Sequence, residues 1–101
     1  MLAILFHSTG GNQWKNSNNW VTSNDHSSWF GVRTASSTNY VLRLALYENE
    51  LTGYIPSEIA ALTSLMDLYL YENDLTGYVP SEIAALTSLR IFLLHANDLV
   101  P

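Results

Sequence analysis

The sequence predicts an α/β solenoid: a coil of short strands and short helical or 3-10 turns, closed at its N-terminal end by a helical and looped cap. Three observations predict it. Residues 41–64 and 65–88 are two copies of one 24-residue unit, identical at 18 of 24 positions, and a third copy begins at Leu89. Within each copy leucines alternate with other residues, as in Leu68-Tyr69-Leu70, the period of a strand with one buried face. Residues 1–40 do not repeat, yet they hold all three tryptophans, Trp14, Trp20 and Trp29. That is the composition of a segment that covers the apolar end of a coil stack. The organisation is therefore a cap over 1–40 and repeats over 41–101, divided into 41–64, 65–88 and a partial 89–101.

The cap opens on Met1-Leu2-Ala3-Ile4-Leu5-Phe6. This run is too short for a signal peptide with a cleavage site and reads as an amphipathic helix ended by Gly10-Gly11. The stretch that follows carries Asn12, Asn16, Asn18, Asn19 and Asn24, residues that favour turns. Each tryptophan has two readings, a core residue with its N–H satisfied or a platform for stacking sugar rings. Their position inside a cap favours the core and a structural role.

Each repeat then supplies the same parts. Stacked copies of its strand make a parallel sheet. Asn49, Asn73 and Asn97 follow the strands where the chain turns inward. An amide both donates and accepts, so the three are expected to form a structural ladder serving backbone groups that the strands leave unpaired. Gly53 and Gly77 permit a tight backbone path, and Pro56 and Pro80 suit the first turn of a short helix. Helices are expected over 57–62 and 81–86, with Ile59, Leu62, Ile83 and Leu86 facing the core. Glu58 and Glu82 sit near the helix N-termini, where negative charge is favourable.

Charge and motifs narrow the function. The formal net charge is −5, and the four basic residues, Lys15, Arg33, Arg43 and Arg90, read as scattered. Nucleic acid, which needs clustered cations, is disfavoured, and so is an anionic membrane surface. No run approaches the length of a membrane span. With no cysteine there is no disulfide framework and no thiolate metal site. His7, His26 and His95 show no metal spacing, and no nucleophile–base–orienter set can be named. No catalytic site, metal or cofactor is expected.

The repeated pattern L-x-x-L-x-L-x-x-N-x-L-T-G-x-[IV]-P-x-x-[IL]-x-x-L resembles the plant-type leucine-rich repeat. That repeat occurs in ectodomains of receptor-like kinases and receptor-like proteins, in polygalacturonase inhibitors and in protist relatives. The segment from Phe6 to Trp14 and Trp29-Phe30-Gly31-Val32 resemble the N-terminal cap of such proteins. The plant cap usually carries two cysteines around the second stretch; here Ser28 precedes it and Arg33-Thr34 follow. Pro101 also departs from the pattern, standing where the repeat would place Gly. The resemblance implies a right-handed coil with a parallel sheet on the concave face and the short turns on the convex face. It also implies an extracellular or cell-surface location and recognition of a protein or peptide ligand.

On this reading the strand residues that alternate with the core leucines form the binding face. Tyr47, Tyr71 and His95 should make one column, with Tyr69, Arg43, Asp67, Glu48 and Glu72 beside it. Tyrosine supplies contact area and a polar tip at low entropic cost. Two nearly identical repeats would also copy an exposed tyrosine without any binding role. Two further functions fit the sequence. One is adsorption to ice or polysaccharide through threonine rows, Thr52 with Thr76 and Thr63 with Thr87. The other is an ectodomain piece of a receptor kinase whose catalytic domain lies outside this chain. The chain reads as the N-terminal part of a larger protein. With an uncapped C-terminal end that exposes edges of Phe92, Leu94 and Leu99, and about three repeats needed for a stable solenoid, the chain is expected to be marginally stable or to self-associate.

Overall fold

The computed structural model describes residues 1–22, 25–36 and 38–100; Asn24 and Pro101 lie outside them. Helix α1, Leu2–Ser8, buries Leu2, Leu5 and Phe6, the spacing of a single apolar face. It stops before Gly10, which takes φ 68°. Thr9 is fully buried at its end. The Thr9 carbonyl accepts from Trp14 Nε1 at 3.0 Å and from the backbone N–H of Thr52 at 3.0 Å. One residue thus holds the cap's aromatic core and the first coil together.

The aromatic side chains pack edge to face or tilted, except Phe6 and Trp20, which lie nearly parallel at 6.0 Å. Phe6 lies 5.1 Å from Trp14, Trp14 lies 4.8 Å from Trp20, and Trp20 lies 5.1 Å from Trp29. Such offset geometry suits rings with negative faces and positive edges. All three tryptophans are buried. Two have satisfied N–H groups, Trp14 and Trp20, the latter donating to Phe30 O at 2.8 Å. The Trp29 N–H has no hydrogen-bond partner, which departs from the sequence reading.

Among the described residues six strands follow: β1 Val32–Thr34, β2 Val41–Ala45, β3 Asp67–Tyr69, β4 Thr76–Tyr78, β5 Ile91–Leu93 and β6 Asp98–Val100. The larger sheet runs β1-β2-β3-β5. Strands β2, β3 and β5 are parallel, with Leu44 opposite Leu68 and Leu68 opposite Phe92. The pairing offset equals the sequence period, so equivalent residues of successive coils lie side by side. Strands β4 and β6 pair in parallel as a second, two-stranded sheet.

The expected cap of helix and loop alone is corrected here. Strand β1 belongs to the cap and pairs antiparallel with β2, Arg33 opposite Arg43. The first strand of a coil stack exposes a row of unpaired N–H and C=O groups, and β1 satisfies them. At three residues β1 was too short to show an alternation.

The turns after Pro56 and Pro80 are five-residue 3-10 helices, Ser57–Ala61 and Ser81–Ala85, shorter than the expected 57–62 and 81–86. Ile59 and Leu86 are buried, whereas Leu62 and Ile83 are half-buried. Ile59 is covered because α1 packs on its turn. One continuous core runs from Leu2 and the tryptophans through Leu44, Leu46 and Leu51 to Leu68, Leu70 and Leu75.

Candidate ligand-binding surface

The site begins with what orients it. Asn73 is buried and uses its whole amide. Its Oδ1 accepts from the backbone N–H of Asn49 at 2.9 Å and of Leu51 at 3.0 Å. Its Nδ2 donates to Leu46 O at 3.0 Å and Leu70 O at 2.9 Å. Asn97 repeats the arrangement one coil on, accepting from Leu75 N and donating to Leu70 O and Leu94 O. Asn49 turns instead to the cap, bonding both backbone groups of Asn16.

These inward turns are made possible by the residue before each asparagine. Glu48, Glu72 and Ala96 take φ 49°, 58° and 59°, the left-handed region that non-glycine residues rarely enter. Nothing in a Glu or Ala announces this conformation. The chain swings inward at that point and leaves the preceding side chain, Tyr47, Tyr71 or His95, standing outward at the strand's end.

The column is observed as a stack. The rings of Tyr47 and Tyr71 lie 4.9 Å apart and 3° from parallel; those of Tyr71 and His95 lie 4.7 Å apart and 7° from parallel. These spacings match the separation of neighbouring strands, so the stack is set by the ladder beneath it. Glu48 N–H donates to Tyr71 O and Glu72 N–H to His95 O, extending that ladder past the strands. Tyr69 meets Tyr47 and Tyr71 edge-on, at 6.4 and 6.5 Å. The Arg43 guanidinium lies over the Tyr69 ring at 4.9 Å, a cation–π arrangement. Desolvation by its neighbours, followed by the nearby Tyr47, Glu48 and Glu72, holds the Tyr71 hydroxyl above its usual range.

Beside the column is an acidic row. A side-chain hydrogen bond with Glu48, together with that group's charge, raises the Glu72 carboxyl above the ordinary glutamate range, and His95 opposes the shift. Glu48 and Glu72 are exposed, as are Glu50, Asp74 and Asp98 one step further along each coil. Next to Tyr47 a shallow cleft of about 330 Å³ is lined by Lys15, Asn16, Phe30, Tyr47, Glu48 and Asn49. Lys15 and Phe30 of the cap were not foreseen there.

Asp67 differs from its expected role. It is buried, and its carboxylate accepts from Arg90 Nε at 3.1 Å. That contact holds Arg90 above its already high value. The reading of scattered basic residues is also corrected: Arg33, Arg43 and Arg90 line one cleft with Asp67. The β1–β2 pairing brings the first two together, and only recognition of β1 as a strand would have revealed it. Among the described residues no group of three or more His, Asp or Glu side chains is placed to hold a metal. Among them no helix is long and apolar enough to cross a membrane.

No family model matches the chain, and no curated protein does. Solved structures do. The chain is similar to the BIR3–SERK2 complex of Arabidopsis thaliana, at 26% identity and a TM-score of 0.73, covering 96% of this chain and 57% of that one. It is similar to the leucine-rich-repeat ectodomain of the receptor kinase SOBIR1 from Arabidopsis thaliana, at 27% identity and a TM-score of 0.70, covering 99% of this chain and 55% of that one. It is also similar to a plant ice-binding protein, at 27% identity and a TM-score of 0.83, covering 99% of this chain and 33% of that one. The chain therefore spans between a third and just over half the length of these structures. Its likeness to receptor-kinase ectodomains carries the solenoid fold and the resemblance read from the repeats.

Proposed function

From a chain built like the leucine-rich-repeat ectodomains of plant receptor kinases, we propose a recognition module that binds a protein or peptide ligand on the open face of its larger sheet, the concave side of the coil. The supporting observation is the stack of Tyr47, Tyr71 and His95, in which Tyr47 and His95 are exposed and Tyr71 between them is half-buried. Its rings are held rigid by the strand ladder, so little side-chain entropy remains to be lost on binding. The structures it resembles include a complex of two proteins, BIR3 with SERK2, and we carry that mode of action to this chain. An ectodomain of this kind faces the extracellular space, works within a longer polypeptide and does not catalyse.

The test is a binding screen of the chain against extracellular proteins and peptides, repeated with Tyr47→Ala combined with Tyr71→Ala. Loss of two aromatic anchors should weaken the ligands found by about a hundredfold. Unchanged affinity for every one of them would place the site elsewhere.

A second reading has its own observation, the likeness to a plant ice-binding protein. Thr52 and Thr76 are exposed in equivalent positions, with Tyr54 and Tyr78 exposed beside them. Adsorption to ice would use that row and not the sheet face. Inhibition of ice recrystallisation that survives the double tyrosine substitution would favour this reading over the first.

A further inference from the structure

We propose that the sheet face is electrically polarised along its strands, and that the arginine cleft at one end binds a side-chain carboxylate of a dipolar peptide whose cationic residue lies over the acidic row at the other. This rests on the peptide-binding reading above and adds the class and orientation of the ligand.

The arginine end is built by the pairing of three strands. Arg33 lies opposite Arg43, and Arg43 opposite Asp67. Directly opposed residues project to the same face, and Arg90 reaches that face through Asp67. Three guanidinium groups therefore share a cleft of about 220 Å³ with one carboxylate. Among the described residues the single ion pair is Arg90 with Asp67. Neither Arg33 nor Arg43 is in that pair; Arg43 lies over the Tyr69 ring, and its Nε is buried without a hydrogen-bond partner. Like charges gathered at a partly shielded site repel one another, and an entering carboxylate relieves that repulsion. Guanidinium is the group whose planar fork fits a carboxylate through two parallel hydrogen bonds.

The other end has the opposite sign. From Arg43 strand β2 runs to Ala45 and the chain goes on through Tyr47 to Glu48, where it turns inward; the next coil runs from Asp67 through Tyr69 and Tyr71 to Glu72. Five residues at about 3.3 Å each set an upper limit of roughly 16 Å between Arg43 and Glu48. The apolar middle of that span is the tyrosine pair and its edge-on neighbour. An extended polyanion laid here would meet the Glu48–Glu72 row, so a nucleic acid or an acidic polysaccharide is repelled. A peptide with Asp or Glu separated by four or five residues from Lys or Arg matches both ends at once.

Selection of a random twelve-residue peptide library on the full chain tests this, with the peptides tethered at their C-terminus so that every carboxylate is a side chain. Wild type should enrich peptides pairing an acidic and a basic residue at that separation. Arg33 is exposed, so Arg33→Glu leaves the core intact; it should reduce recovery of the acidic residue about tenfold, the effect of losing one charged hydrogen-bond partner, and keep the basic one. Glu48→Gln with Glu72→Gln should do the reverse. Enriched peptides whose acidic residues are indifferent to Arg33→Glu would overturn the polarity while leaving peptide binding intact. No enrichment at all would remove the peptide-binding reading, and this inference with it.

Discussion

At the scale of single residues, Asn73 carries more structure than any exposed group of the binding face. Its amide serves the backbone N–H groups of Asn49 and Leu51 and the carbonyls of Leu46 and Leu70. Removing it strands several buried polar groups, each costing about 1–3 kcal/mol when left unpaired. Asn97 makes fewer such bonds, and water reaches its half-buried side chain. Asn73→Ala should therefore destabilise the chain by about 3–4 kcal/mol and Asn97→Ala by about half as much, read from urea unfolding midpoints. Equal losses would mean that the ladder is not the origin of the effect. The residue that orients Asn73 is less legible. Glu72 stands in the left-handed region with no glycine to mark it, and the strain is supported by the asparagine bonds that follow.

At the scale of elements, the same residue type at the same repeat position has different neighbours. Gly53 and Gly77 both take positive φ, 72° and 76°. A Cβ on Gly53 would stand 2.2 Å from Ser8 O, backbone of the cap helix, whereas on Gly77 the nearest atom is Tyr54 Cβ at 3.8 Å. Gly77→Ala bears the conformational penalty alone, about 1 kcal/mol. Gly53→Ala must also push α1 off the coil and should cost about 3 kcal/mol or more, measured as the difference between the two unfolding free energies. A smaller loss for Gly53 would show that α1 does not dock firmly there. The contrast also separates what the sequence could reveal. A 24-residue period exposes features whose residues recur: the strands of the larger sheet, the inward asparagines and the aromatic column. Features made once, where the cap meets the first coil, leave no period. Strand β1 and the meeting of Arg33 with Arg43 depend on pairing a three-residue segment with β2, and the cleft by Lys15 and Phe30 depends on the bonds that tie Lys15 and Asn16 to Asn49. The second sheet was hidden for a related reason: Thr76-Gly77-Tyr78 contains a glycine, a poor strand signal.

At the scale of the whole molecule, the question is whether cap and coils unfold as one. A linear repeat array gains stability from each interface between neighbours, so a weakly joined end melts separately. Here the junction is dense. The Thr9 carbonyl links Trp14 to Thr52, Gly31 O accepts from Ala45 N–H at 2.8 Å, and Asn49 O accepts from Lys15 N–H at 3.0 Å. The buried residues on either side belong to one apolar cluster with no break between Trp14 and Leu68. Opening that interface exposes aromatic and leucine surface together, at about 25 cal/mol per Å² of apolar area, so neither side keeps its core without the other. Two probes separate the regions cleanly. The tryptophans all lie in the cap, and the amides of Leu68 and Leu70 lie in the second coil. In a urea titration, tryptophan emission and the native amide resonances of Leu68 and Leu70 should change with one midpoint, the mark of a single cooperative unit. A cap transition at lower urea than the coil transition would instead make residues 1–40 a separable lid, and the sheet edge covered by β1 would then become available to a partner strand.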